Sequence, residues 1–143
     1  MHIPFVEQWR KRHEGGVAAD PLSADPAETA QLLSECELLR RQARDAGVEL
    51  DDSPDSLAAL DQLLPLWRDD PEVTPWLGSD AGLYLGTVIV RTVQGAAWRL
   101  RSDGQPVVRL PSDWEVDVLA EGGSWAETGT PELSQVYGEA SEG

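Results

Sequence analysis

The part of the chain that most restricts its fold is the apolar stretch over residues 80–93, DAGLYLGTVIVRTV. Its valines and isoleucine favour a strand, but its apolar residues do not alternate with polar ones as they would in a half-buried strand. A helix would begin with Asp80 as its N-cap, and Gly82 and Gly86, one turn apart, would let another element approach closely. We predict a buried helix here, with a strand as the alternative. The helix would bury the face formed by Ala81, Tyr84, Leu85, Val88 and Ile89.

After Gly95 the hydrophobic pattern changes from helical to alternating. Three short segments, AAWRLR, PVVRL and WEVDVL, are separated by the turn sequences Asp103-Gly104 and residues 111–113. This pattern predicts a three-stranded antiparallel β-meander. Three tryptophans are in phase with core positions of the predicted elements and are expected in the core: Trp67, Trp98 and Trp114.

The most clearly marked helix of the sequence begins with Asp25 and Pro26, an N-cap and first-turn pair. The run that follows has a helical period and closes at Gly47, a residue type that is typical of helix ends. We therefore predict one continuous helix, which contributes an apolar face to the core. This face consists of Leu32, Cys36, Leu39, Ala43 and Ala46.

Ser53 and Pro54 mark the start of the next predicted helix. Pro65 should kink this helix or end it near Leu64, because proline lacks the backbone N–H and clashes with the preceding turn. Residues 69–79 are rich in Asp, Pro and Gly and are predicted to form a loop. The apolar positions of the helix are Leu57, Leu60, Leu64 and Trp67.

The chain is predicted to have four parts: a basic amphipathic arm (residues 1–13), a flexible linker (14–25), an α+β domain (26–120) and an acidic, Gly-rich tail (121–143). The domain would have two to three helices packed on the three-stranded antiparallel β-meander. The arm would form a short N-terminal amphipathic helix, and a short terminal helix is an option for the tail.

Charge separates the arm from the rest of the chain. The 143 residues carry a formal net charge of −15, but the arm is basic, with a net charge of +2 that leaves −17 on the remainder. A body with this charge repels phosphate backbones, so we expect no direct binding of nucleic acid. The single cysteine excludes an internal disulfide, and no secretory signal is recognisable, so we expect a cytoplasmic protein.

The segments DAGLYLGTVIVRTVQGAAW and GQPVVRLPSDWEVDV resemble a module found in small actinobacterial proteins that carry a domain of unknown function. In that module a Leu-Gly-rich helix leads through a Gly-X-X-Trp turn into a short antiparallel sheet. The segments IPFVEQWRKRH, LLSECELLR and ELDDSPDSLAALDQLLPLWRDDPE are similar to the same group. The resemblance implies a helix over residues 80–93 and implies no catalytic residue. Related modules occur in bacterial immunity-type proteins, which is a loose analogy.

No combination of residues predicts a catalytic, cofactor or metal site. The histidines, His2 and His13, both lie on the arm, and Cys36 lies on an apolar helix face, where a buried thiol is expected. The GLYLG sequence has large apolar residues where a phosphate loop needs accessible backbone amides. One acidic cluster lacks the spacing of a calcium loop and is interpreted as helix-capping and solvated side chains: Asp45, Glu49, Asp51, Asp52 and Asp55.

We therefore expect a non-catalytic interaction or regulatory protein that binds another protein. Trp76 and Trp125 lie in segments rich in Gly and Pro, where an exposed aromatic ring could dock a partner. The alternatives are a peripheral membrane-associated adaptor that makes weak contact with anionic lipid through the arm, an arm that packs on the domain and, least favoured, an enzyme. The candidate partner-binding residues are Phe5, Trp9, Arg10, Lys11, Arg12, Trp76 and Trp125.

Overall fold

The computed structural model of the chain describes residues 26–142, with side chains described from residue 30 onward. The predicted arm (residues 1–13) and linker (14–25), and with them Asp25 as an N-cap, lie outside this part. The described part forms six helices and one sheet: α1 (Pro26–Leu33), α2 (Glu37–Asp45), α3 (Pro54–Trp67), α4 (Thr74–Thr92), β1 (Ala97–Leu100), β2 (Pro106–Arg109), β3 (Glu115–Val116), α5 (Val118–Thr128) and α6 (Leu133–Glu142).

The α+β class is confirmed, but the prediction of two to three helices is wrong. The first predicted helix is divided into α1 and α2, and the Gly-rich stretch after Ala120, predicted as loop, belongs to α5. The C-terminal segment ELSQVYGEA forms most of α6, a complete helix. Side chains of α5 and α6 lie in the same core cluster as those of the preceding helices. Tertiary packing stabilises these helices where local sequence signals favour a loop.

Helix α4 is the predicted buried helix of residues 80–93, and it begins earlier than predicted. It starts at Thr74, within the stretch predicted as loop, because Pro75 is well tolerated in the first turn of a helix. Residues 81–89 are all buried, which explains why the sequence shows no polar stripe. The predicted face of Leu85, Val88 and Ile89 is completely buried.

The close approach predicted at Gly82 and Gly86 is confirmed. A Cβ atom on Gly82 would lie 2.2 Å from the carbonyl oxygen of Val118, and one on Gly86 would lie 2.3 Å from the indole ring of Trp98. On the facing helix, a Cβ atom on Gly122 would lie 2.2 Å from the carbonyl oxygen of Gly78. Helices α4 and α5 therefore cross with their backbones in contact, which only glycine allows.

The break between α1 and α2 has a cause that lies far away in the sequence. Cys36 precedes α2 with a φ of 42° and provides no side-chain cap. The Oδ2 atom of Asp80, on the neighbouring helix α4, accepts the backbone N–H of Leu39 at 3.1 Å instead. The prediction that Asp80 caps its own helix is wrong, because Asp80 lies within α4 and caps α2.

Helix α3 begins at the predicted place, with the Ser53 hydroxyl accepting the backbone N–H of Ser56 at 3.3 Å. It continues through Pro65 to Trp67, so of the two predicted outcomes, a kink or an end near Leu64, the end is wrong and the kink stays a prediction. The burial of Leu64 and Trp67 stabilises the last turn and offsets the hydrogen bond that Pro65 cannot donate. All four predicted apolar positions of this helix are buried.

The sheet has the predicted antiparallel order β1-β2-β3. Trp98 pairs with Val108 across β1 and β2, and Val108 pairs with Val116 across β2 and β3. Strand β3 is only two residues long because Asp117 caps α5, its carboxylate accepting the backbone N–H of Ala120 at 3.1 Å. No helix within residues 26–142 is both long and apolar enough to span a membrane.

Candidate partner-binding groove

The structure reverses the predicted positions of two tryptophans. Trp114, predicted in the core, is 71% exposed, whereas Trp125, predicted as an exposed docking residue, is completely buried and donates its indole N–H to Asp61 at 2.9 Å. Trp76 is half-buried against the core and donates its indole N–H to the carbonyl oxygen of Glu72. Trp67 is buried and Trp98 half-buried, as expected of core positions.

The remaining candidate residues lie on the predicted arm, outside the described part of the chain. They combine positive charge with aromatic side chains, and their role in partner binding stays a prediction. They are Phe5, Trp9, Arg10, Lys11 and Arg12.

Trp114 is exposed because it lies at the end of the sheet. The backbone N–H of Leu110 donates to the carbonyl oxygen of Trp114 at 2.8 Å, which extends the pairing of β2 with β3 by one step. Paired residues share a face, so the Trp114 side chain lies on the same face of the sheet as Leu110 and Val116. Leu110 is covered by the core, but no element of the described part covers the Trp114 ring.

A groove of about 550 Å³ lies beside this ring, and we call it the Trp114 groove. Three structural elements form it: the β2–β3 connection with β3, the first turn of α5 and α6 from Val136 to Ala140. Its apolar residues come from the sheet and from α6, and its polar residues are mostly carboxylates. The lining residues are Leu110, Ser112, Trp114, Glu115, Val116, Asp117, Glu121, Val136, Glu139 and Ala140.

The four carboxylates of the Trp114 groove are neutralised unequally. Glu115 forms an ion pair with Arg99 at 3.0 Å, and Asp117 forms one with Arg101 at 3.3 Å. Glu121, in contrast, has no ion-pair partner in the described part of the chain. Partial burial raises the pKa of Glu121, and the negative charges of Glu139 and Asp117 raise it further. The side of the groove formed by α5 and α6 therefore carries negative charge that no described cation balances.

This arrangement favours a ligand that combines a cation with an apolar group. Leu110, Val136 and Ala140 are buried apolar residues that border the groove. A guanidinium or ammonium group close to Glu121 would be attracted by its charge, and the exposed face of Trp114 could accept the same cation or an apolar side chain.

A second cleft, of about 580 Å³, lies next to Arg40, where α1, α2, the C-terminal half of α4 and Trp98 meet. The Arg40 guanidinium donates to three backbone carbonyl oxygens and to Asp52, and it lies 5.2 Å from the centre of the Tyr84 ring. Asp52 also forms an ion pair with Arg91 at 3.2 Å. Because Arg40 and Arg91 both pair with Asp52, the charges of these three residues are largely matched within the cleft itself.

Cys36 and Asp51, which were considered from the sequence for a catalytic or metal site, have structural roles. Cys36 is completely buried, and burial raises the pKa of its thiol, so the thiol stays protonated in the core. Asp51 accepts the backbone N–H and the hydroxyl of Ser53, the N-cap of α3, and these hydrogen bonds lower the pKa of Asp51. Within residues 26–142, no three His, Cys, Asp or Glu side chains come together as metal ligands.

The comparison with protein families matches residues 1–143 to a family of unknown function, DUF6278. Curated proteins and solved structures were also compared with the chain, and neither comparison found a match.

Proposed function

We propose that this chain, which belongs to the DUF6278 family of unknown function, is a non-catalytic binding protein whose Trp114 groove accepts a cationic segment of a partner protein. The observation that carries the proposal is a tryptophan ring that is 71% exposed beside carboxylates without a balancing cation. Aromatic residues in such positions are typical of the residues that dominate binding energy at interfaces.

Covering the Trp114 ring would supply much of the binding free energy. A tryptophan side chain buries roughly 150 to 250 Å² in an interface, and burying the part exposed here would stabilise a complex by about 3 to 4 kcal/mol before the costs of association. This amount supports specific but modest binding, to which charge must add.

The charge of the groove favours a basic protein segment over other ligands. Glu121 and Glu139 repel each other, so a Lys or Arg side chain placed between them would relieve this repulsion and form new ion pairs. The strong negative charge of the whole chain attracts such a segment from a distance and repels nucleic acid. An inhibitor of a basic partner would agree with the loose analogy to immunity-type modules. The actinobacterial origin and the cytoplasmic location remain predictions.

A titration with defined peptides tests the proposal. The probes are the tetrapeptides Ac-Trp-Arg-Lys-Arg-amide and Ac-Trp-Glu-Glu-Glu-amide, added to the full-length ¹⁵N-labelled protein at low salt. We expect the basic peptide to shift the indole signal of Trp114 and the amide signals of Glu121 and Glu139, with a dissociation constant of about 1 mM or below. The acidic peptide should leave these signals unchanged.

A charge-matched pair of variants separates groove binding from general attraction to an acidic protein. The double variant Glu121→Gln/Glu139→Gln and the double variant Asp55→Asn/Asp69→Asn each remove two negative charges, but only the first pair lies in the groove. Loss of two ion pairs should weaken binding about tenfold in the groove variant and leave it nearly unchanged in the other. Equal weakening in both variants, or shifts spread over the surface, would contradict the proposal.

A further inference from the structure

We infer that the chain's own basic arm, residues 1–13, occupies the Trp114 groove and competes with the partner for it. This inference rests on the proposed function, because it assumes that the groove accepts cationic segments. It adds a regulatory property: the arm would cover the groove for part of the time in the free protein, and a partner would have to compete with it.

Charge complementarity is the first argument. Arg10, Lys11 and Arg12 are three consecutive cations, and the rest of the chain carries a net charge of −17. A minority of the described carboxylates form ion pairs with arginine, and Glu115 and Asp117 of the groove are among them. Glu121 and Glu139 have no such partner among the described residues, and Glu121 is half-buried in the groove that Trp114 lines, so its charge is screened less than that of a fully exposed carboxylate.

The apolar content of the arm is the second argument. Phe5 and Trp9 are four residues apart, so a helix would place both rings on one face, directly before the three cations. The Trp114 groove offers partners for both kinds of group, because an exposed ring, apolar residues and two carboxylates without a described arginine partner line it. A segment that carries both kinds of group within ten residues can satisfy both parts of the groove.

The predicted linker is long enough for this contact. Residues 14–25 can span about 40 Å when extended. A compact unit of the size of the described part has a radius of gyration of about 13 Å, so the linker can reach most of its surface.

Intramolecular docking also requires little intrinsic affinity. A tether of about this length holds its two ends at a mutual concentration of about 1 mM. A contact with a dissociation constant near this value would fill the groove about half of the time. The small apolar area that ten residues can bury is therefore sufficient, although it would not support a stable complex between separate molecules.

Carbodiimide cross-linking tests the inference sharply, because Lys11 is the single lysine of the chain. The reagent joins an amine to a carboxylate only when the two are in contact. The chain has 26 Asp and Glu residues, so the carboxylate that Lys11 selects reports where the arm lies. The experiment uses the full-length protein at low concentration, mixed with ¹⁵N-labelled protein so that mass spectrometry distinguishes links within a chain from links between chains.

We expect links within one chain, concentrated on Glu121 and Glu139. Trp114→Ala removes an exposed ring and should lower their yield about fivefold, as expected if docking weakens about tenfold. Leu66→Ala, at another exposed apolar residue on α3, should leave the yield unchanged. About 1 M NaCl should also reduce the yield of these links, because the Debye length is then only about 3 Å and the attraction between the arm and the carboxylates is screened.

Three results would overturn the inference: links spread over the acidic surface, links concentrated outside the groove, or links mainly between chains. None of them would affect the peptide titration, which tests the groove itself. If the arm links to the groove and the peptide also shifts Trp114, the charge reversal Arg10→Glu/Lys11→Glu/Arg12→Glu should strengthen peptide binding about twofold, because the groove is then free.

Discussion

Replacing Asp80 by asparagine should change the way in which the stability of the protein depends on pH. Asp80 lies within α4, is only 3% exposed, and accepts one described hydrogen bond, from the backbone N–H of Leu39. Burial raises the pKa of Asp80 to about 6, the Leu39 hydrogen bond opposes this shift, and the charge of Glu37 adds to it. The folded protein therefore pays for a buried negative charge at neutral pH.

The size of this effect follows from the pKa difference between the folded and unfolded states. A pKa of about 6 in the folded state, against 3.8 for an ordinary aspartate, corresponds to about 3 kcal/mol. Because the folded state holds the proton more tightly, the contribution of Asp80 to stability is greatest below about pH 4 and is lost as the pH rises toward 7. Asparagine has no such dependence.

Urea unfolding followed by circular dichroism, at a series of pH values from about 4 to about 7.5, measures the effect. The free energy of unfolding of Asp80→Asn minus that of the wild type should rise by about 2 to 2.5 kcal/mol across this range, because part of the effect lies below about pH 4. A constant offset between the two proteins reports only how well the amide fits, so the change with pH is the quantity that matters. Asp69→Asn, at an exposed carboxylate, is the control. Parallel pH profiles of Asp80→Asn and the wild type would refute the reasoning.

Three further predictions concern the core. In urea unfolding, Gly122→Ala should destabilise the protein by about 1 to 3 kcal/mol, because the added Cβ atom would meet the backbone of α4. Gly123→Ala is the control: it has open space around it and should stabilise the protein by about 0.5 to 1 kcal/mol. Equal effects of the two substitutions would contradict the helix crossing. Asp61→Ala should lower the free energy of unfolding by about 3 kcal/mol, because the Asp61 carboxylate accepts hydrogen bonds from Trp125 and from the first turn of α6. An unchanged midpoint of thermal unfolding would exclude this role. Cys36 should react with iodoacetamide only at the rate of global unfolding, and rapid alkylation of the native protein would show that the thiol is accessible.

Local signals were sufficient to predict several elements of the fold. The spacing of Gly82 and Gly86 indicated a helix that other elements approach closely, and both contacts are present. The alternation after Gly95 predicted the meander and its antiparallel order. In each case the deciding interactions lie within a few residues, or follow from the period of the pattern.

Two helices of this fold begin at carboxylates that belong to other helices, and these contacts were not predictable. Asp80 of α4 caps α2, and Asp61 of α3 accepts the backbone N–H groups of Leu133 and Ser134 at the start of α6. The partners are 41, 72 and 73 residues apart in sequence. A search for capping residues directly before a helix cannot detect such pairs.

The candidate site shows the same difference between local and tertiary information. The alternation of apolar and polar residues correctly placed Trp114 on the apolar face of the sheet. It could not show that the helices leave the part of this face that carries Trp114 uncovered. Gly-rich sequence suggested a loop around Trp125, yet Gly122 is where α5 contacts α4, and this crossing accompanies the burial of Trp125. Which tryptophan is exposed therefore depends on helix packing and not on the composition around each ring.

Site-specific photo-crosslinking in cells that make the protein naturally tests the central claim most directly. A photoreactive phenylalanine analogue is placed at Trp114 and, in a separate variant, at Leu66, which is 69% exposed and lies outside the groove. Our account predicts that position 114 forms a covalent adduct with a partner protein, that position 66 does not, and that the linked partner peptide carries Lys or Arg beside an apolar residue. We also expect Glu121→Gln/Glu139→Gln to lower the yield of this adduct severalfold, in line with the roughly tenfold weaker binding expected above. The same adducts from both positions, or a linked peptide without basic residues, would contradict the claim that the Trp114 groove binds a cationic segment.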